Sequence, residues 1–228
     1  KKNPPWRKQP NELKDDDYIE LYKYLYPFQG DPLLWIHLNT DYPYNIQGIL
    51  YFPRLSGRAD WEKGEIKLYC NQVFVSDSIK EIVPKYLLPL RGVIDSTDIP
   101  LNVSRSALQT DRKVRSISSF ISKKIANKLK ELIRDEPEFY AEIWDSISAF
   151  VKIGVIEDEK FSEMAKDNII FETKFQNEKV TKEYLKEKSI IKQNQKYYTT
   201  LSNYQIRNKK MDEKKVLYCT DEITQSNA

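Results

Sequence analysis

Histidine is nearly absent from this chain. Its 228 residues hold one His, two Cys, two Met and six Gly. With His37 alone, and with Cys70 and Cys219 far apart, there is no Cys/His spacing for a zinc site and no His-based catalytic triad. Metal ligation is not expected. Each cysteine lies in an apolar, strand-like run, so both are expected to be buried, reduced thiols. None of the six glycines falls in a G-x-G-x-x-G or P-loop arrangement, so no phosphate cradle is expected within the chain. No apolar run approaches the length of a membrane span, which argues against a membrane partner. The first residue is Lys1, with no signal-like start, and the chain reads as an excised piece of a longer protein. Charge of one sign is also lacking. The 37 basic and 34 acidic side chains leave a net +3, too little to indicate a general nucleic-acid surface.

Apolar and aromatic residues are plentiful. Hydrophobic residues reach 40%, with 15 Tyr and 9 Phe, enough for a packed core. The pattern along the chain predicts an α/β (α+β) protein. A larger αβα sandwich-like domain comes first, then a short helical bundle, then a smaller α/β unit. The boundaries expected are 1–14 for an arm or linker, 15–104, 105–166 and 167–228. The arm carries Pro4, Pro5 and Pro10, with Trp6-Arg7 as its anchor. A helix is expected from Asp15 to Tyr26, with acidic residues at its positive end. Strands are expected at Leu33–Leu38 and Ile46–Phe52, and one long strand at Ile66–Val75. Residues 54–65 read as an exposed connection. Ser76 or Asp77 is expected to cap a helix through Leu88, broken near Pro84. Residues 91–103 read as irregular.

Beyond them, Leu108, Ile117, Ile121, Ile125, Leu129 and Leu132 form an apolar helical stripe. Lys123, Lys124, Lys128 and Lys130 occupy its solvated faces. Phe139, Ile143, Ile147 and Phe150 mark a second helix, expected to end at Gly154, and 157–165 a third. Strands are expected at 169–173 and 216–220. The polar stretch 176–215 between them reads as helix or loop, part of it disordered.

The most informative stretch is Asp95-Ser-Thr-Asp-Ile-Pro-Leu-Asn-Val-Ser-Arg-Ser-Ala-Leu-Gln109. A turn-forming segment runs into Ser104, and Arg105 and Gln109 lie four apart in the helical pattern that follows. At that spacing they share one face. A guanidinium offers five donors in a fixed fork, and a carboxamide both donates and accepts. The pair suits contact with a terminal phosphate and a nearby water, and equally an ordinary helix start. Asn102 and Ser104 are expected to aim the loop as turn and N-cap residues. In the connection 54–65, Trp61 with Arg54 and Arg58 is either an exposed contact surface or packing over the hairpin.

The order and spacing of Trp6-Arg7, Gly30-Asp31-Pro32-Leu33, Ile49-Leu-Tyr-Phe-Pro53, Ile66-Lys-Leu-Tyr69, Val73-Phe-Val75, Gly92-Val-Ile-Asp-Ser96 and Leu101-Asn-Val-Ser-Arg105 with Leu108-Gln109 resemble the middle domain of the heat-shock protein 90 chaperone family. The likeness is strongest to its bacterial, HtpG-type branch. The chain departs from eukaryotic members at Gln29, where they carry a Trp, and at Asn71-Gln72, where some carry two basic residues. The resemblance implies an ATP-dependent chaperone in which an N-terminal ATPase domain holds ATP and Mg and a C-terminal domain dimerises. Arg105 would be the catalytic arginine at the γ-phosphate and Gln109 its helper. Client proteins would be partners, with Trp61, Arg54 and Arg58 as contacts. The full-length protein would be a cytoplasmic homodimer, or one from an organelle of bacterial descent. The isolated chain is expected to be an inactive monomer without cofactor. The competing expectation is a non-catalytic protein-interaction module.

Overall fold

The computed structural model describes residues 3–55, 65–76, 83–99, 112–174, 180–208, 216 and 218–220. The chain divides into two units, Lys1–Lys166 and Asp167–Ala228.

The first unit is built on a five-stranded mixed sheet. Its strands are β1 (Leu34–Thr40), β2 (Ile46–Phe52), β3 (Ile66–Cys70), β4 (Val73–Ser76) and β5 (Arg91–Ser96), in the order β1-β2-β5-β3-β4. β5 is antiparallel to β2 and parallel to β3. Side chains alternate across a strand, and β2 is buried on both faces. Ile49 and Tyr51 pack against Tyr18, Leu21, Tyr22 and Tyr26 of helix α1 (Asp15–Leu25). On the opposite face, Phe52 meets Phe150 of a later helix, ring centroids 5.3 Å apart. The sheet therefore lies between two helical layers, as the α/β expectation requires.

That second layer holds α2 (Arg112–Asp135), α3 (Pro137–Glu157) and α4 (Glu159–Ala165). The stripe Ile117, Ile121, Ile125, Leu129 and Leu132 is buried, while Lys123, Lys124 and Lys130 are exposed. On α3 the buried face includes Ile143, Ile147 and Phe150, widened by Tyr140, Trp144 and Val151. Gly154 does not end α3, which runs on to Glu157. It is a packing glycine, because a Cβ there would fall 2.8 Å from the Tyr86 ring and 2.9 Å from Phe161. Asp158 caps α4, accepting from the Phe161 N–H at 3.0 Å. Its other oxygen lies 3.0 Å from the Tyr86 hydroxyl, which is also 3.1 Å from Ser122 Oγ. Tyr86→Phe removes a buried partner from this junction. We expect it to lower stability by about 1 kcal/mol, read as a lower urea midpoint at unchanged slope.

Three strand and helix expectations are corrected here. Residues 66–75 are not one strand but the β3–β4 hairpin. Asn71 and Gln72 both have positive φ, 50° and 67°, which is the two-residue hairpin turn matched to strand twist. Ser76 ends β4 rather than capping a helix, and among the described residues beyond Pro84 the chain makes a 3-10 turn, Lys85–Leu87; Asp77 and residues 78–82 lie outside the described residues. Residues 91–96 are not irregular. They form β5, buried at all six positions in mid-sheet. The turn residues that follow it concealed a short central strand whose polar ends, Arg91 and Asp95, broke the apolar pattern.

The second unit contains a three-stranded antiparallel sheet, β6 (Ile170–Thr173), β8 (Lys196–Thr200) and β7 (Ile191–Gln193), in that order. Helices α5 (Lys182–Glu187) and α6 (Leu201–Arg207) start at Thr181 and Thr200, whose hydroxyls accept from the N–H three residues on at 3.2 Å. The stretch 176–215 was expected to be helix or loop. Among its described residues it also carries the β7–β8 hairpin, turned at Asn194 with φ 54°. Val216 and residues 218–220 lie in no strand, and Cys219 is exposed, while Cys70 is buried as expected.

Candidate functional site

Residues 100–111 fall outside the described residues, and with them Arg105, Gln109, Asn102 and Ser104. Trp61 and Arg58 fall outside them too. Arg54 is exposed, just beyond Pro53 and the end of β2. What can be built from residues upward is the frame that carries the 100–111 segment.

β5 delivers the chain to that segment and α2 receives it. Ser96, the last residue of β5, donates from Oγ to the Asn45 carbonyl at 2.7 Å and accepts from the Asp98 N–H at 3.2 Å. Asp98 Oδ2 accepts from the Asn45 N–H at 2.8 Å, in the β1–β2 turn. Its other oxygen lies 4.0 Å from Lys113 Nζ, in the first turn of α2. Ile99 and Val114 are buried beside these contacts. One carboxylate thus gathers the sheet, the neighbouring turn and the helix start. Asp98, Ser96 and Asn45 were not singled out as a site from sequence. The Asp-Ser-Thr-Asp run signalled a turn, but nothing in the sequence placed Asn45 opposite it.

The β5 face toward α1 and the arm is polar beneath aromatic cover. Register places Arg91, Val93 and Asp95 beside Tyr51, Ile49 and Gln47 of β2. Arg91, buried, pairs through Nε with Glu65 at 3.1 Å and lies over the Tyr26 ring at 5.6 Å. The Gly92 N–H donates to the Tyr26 hydroxyl at 2.9 Å, and that hydroxyl donates to the Glu65 carbonyl. Burial pushes the Tyr26 phenol well above its ordinary pKa, so it stays protonated and keeps its donor. The arm lies on this face. Trp6 sits 5.4 Å from the Tyr69 ring, and Asn39 Nδ2 donates to the Lys8 carbonyl at 3.3 Å.

His37 belongs to the same face, in edge strand β1, sharing a 2.8 Å hydrogen bond between Nδ1 and the Tyr18 hydroxyl. Burial holds its pKa below the ordinary value, and the nearby Lys8 carbonyl opposes this only in part. The folded state therefore favours the neutral ring, while the unfolded chain takes up a proton near pH 6.5. Stability from this group is complete above that pH and is lost as pH falls through the folded pKa. Because the chain has one histidine, the effect is separable. We expect the urea midpoint to drop between pH 7 and 5, and His37→Gln to flatten that drop.

Among the described residues no three His, Cys, Asp or Glu side chains converge as a metal site. No described helix is long and apolar enough to cross a membrane.

The chain resembles a solved structure, the middle domain of a Plasmodium falciparum heat shock protein. The two superpose with a TM-score of 0.62 at 27% identity, covering 74% of this chain and 67% of that one. The family described as Hsp90 protein matches residues 1–226, and the chain belongs to that family. It is 52% identical over 169 residues to the chaperone protein HtpG of Porphyromonas gingivalis, which is 74% of this chain and 25% of that protein. To HtpG of Bacteroides fragilis it is 46% identical over 168 residues, 74% and 25% of the two chains. The chain thus spans about a quarter of the length of the curated relatives it matches.

Proposed function

We propose that this chain is the segment of an ATP-dependent chaperone that completes an ATP site held mainly by a preceding N-terminal domain. The observation that carries the reading is the run Leu101-Asn-Val-Ser-Arg105 with Leu108-Gln109, in a chain whose family match extends over residues 1–226. Arg105 is the cation that meets charge developing on the transferring γ-phosphoryl group, and Gln109 assists it. Asn102 and Ser104 set the loop's direction. Mg, bound with ATP, neutralises phosphate charge. The stem at Asp98, Ser96 and Asn45 gives such a loop fixed ends. A following C-terminal domain would make the whole protein a homodimer, and its place would be the cytoplasm. Client proteins would meet the connection 54–65 through Trp61, flanked by Arg54 and Arg58.

A second reading, a non-catalytic interaction module, draws on exposed apolar side chains. Phe28 is 97% exposed and Tyr24 84%, more than a buried-core account requires. Arg105→Ala in the full-length protein separates the two. Loss of ATP turnover with nucleotide binding kept supports the first reading. Unchanged turnover supports the second.

A further inference from the structure

Four buried side-chain polar atoms have no hydrogen-bond partner among the described residues: Trp6 Nε1, His37 Nε2, Arg91 Nη1 and Asp95 Oδ2. All four belong to the sheet face that carries the arm. Native proteins leave few buried polar atoms unpaired, and their concentration at one seam sets it apart from the rest of the unit. Asp95 is the sharpest case. Its side chain is 4% exposed, and its only described charge partner is Arg7 of the arm, 3.8 Å from Oδ2. Its other oxygen accepts from the Gln72 N–H at 3.3 Å, at the β3–β4 turn. Asp95 therefore joins three segments: the arm, the β3–β4 turn, and the end of β5. The next residue, Ser96, opens the stem of the 100–111 segment.

We propose that Arg7 and Asp95 act as a positioning pair for the ATP-site loop. Seating of the arm's guanidinium over the Asp95 carboxylate fixes the end of β5 from which that loop departs. This inference rests on the function proposed above, under which the arm is the stretch of chain arriving from the nucleotide-holding domain. A buried carboxylate that loses its cation must take up a proton or turn outward. Either response shifts the end of β5, since Asp95 lies opposite Gln47 on one side and Tyr69 on the other. The seam suits a contact that forms and releases. The ion pair is long and its neighbours are incompletely satisfied, while the arm is otherwise held by Trp6 and Leu13 packing on the α1–β2 core and by the Lys8 carbonyl. The arm's position would thus report the state of the preceding domain to the loop. The two residues touch no substrate and act through the backbone of β5.

The test uses the full-length protein, reading kcat and KM for ATP, with Arg105→Ala measured alongside. Arg7→Gln should lower kcat roughly tenfold and leave KM for ATP within about twofold, since ground-state nucleotide contacts are untouched. Arg7→Lys, which keeps the charge, should recover most of the rate. Asp95→Asn should slow turnover similarly and add little on top of Arg7→Gln, as expected for two residues acting as one unit. If a single variant fails to fold, the double variant Arg7→Gln/Asp95→Asn leaves no buried charge unpaired and serves in its place, again with lowered kcat. Wild-type kcat in folded Arg7 and Asp95 variants, with Arg105→Ala slowed, overturns the positioning pair alone. Wild-type kcat in Arg105→Ala overturns the proposed function and this inference with it.

Discussion

Arg105→Ala in the full-length protein should reduce ATP turnover by about 100-fold or more while nucleotide affinity stays nearly constant. An arginine aimed at the γ-phosphoryl group interacts most strongly once charge has moved onto its equatorial oxygens and the leaving oxygen. An interaction made chiefly in the transition state lowers the rate constant without weakening ground-state binding. Lysine at this position should restore only part of the rate, because an ammonium lacks the planar fork that spans two oxygens. Gln109→Ala should move in the same direction by a smaller factor. Single-turnover hydrolysis and calorimetric titration of the nucleotide, made on the same preparations, would check this. Loss of affinity equal to the loss of rate would mean that Arg105 binds ATP rather than serving its cleavage.

Gly92→Ala should abolish cooperative folding of the isolated chain. Gly92 sits in central strand β5 with φ +130°, where a Cβ would fall 2.0 Å from the Ile49 carbonyl oxygen of β2. That neighbour is backbone in the middle of the sheet and cannot swing aside. The residue also donates its N–H to Tyr26, so any shift of the strand breaks the link to α1. Overlap with backbone plus a disallowed φ should cost more than about 4 kcal/mol, in the rare tail of single substitutions. A domain of ordinary stability holds only about 5–15 kcal/mol in total. Gly30 is the control, since a Cβ there meets nothing within 4 Å, and Gly30→Ala should change stability by less than about 0.5 kcal/mol. Circular-dichroism melts of the two variants decide the matter. A Gly92→Ala melt that overlays wild type would contradict the close approach described here.

Helices and the first two strands were legible because one physical rule governs each. The α2 stripe recurs at mostly four-residue steps, and α1 begins at an acidic cluster. β2, carried by the apolar run Ile49–Phe52, was read at its observed limits. β5 escaped because its ends carry Arg91 and Asp95, buried polar groups that hydrophobic periodicity counts against a strand. Their burial becomes sensible only once Glu65, Tyr26 and Arg7 are brought in from distant parts of the chain. The β3–β4 turn escaped because Gln72 is not a residue type that signals a left-handed backbone. The same limit applies to the stem. Asp98 was legible as a turn former, but its partners Asn45 and Lys113 are set by pairing across the sheet and by the start of α2. Arg7 was expected to anchor the arm, and Asp95, its partner, was seen only as the start of a turn. Gly154 shows the opposite error, a helix-ending residue type used to let two rings approach.

The parallel register between β3 and β5 has a consequence for how the sheet comes into being. β1–β2 and β3–β4 are local hairpins, each closed by a short connection, and each leaves open the inner edge that β5 later fills. β5 is the strand that fills the gap between them, although it is the last of the five in the chain. During synthesis the two hairpins must wait, unjoined, until residue 96 has left the ribosome. Isolated hairpins are marginal in water, and their open edges invite pairing with other chains. This chain thus has a window of exposure while its keystone strand is still being made.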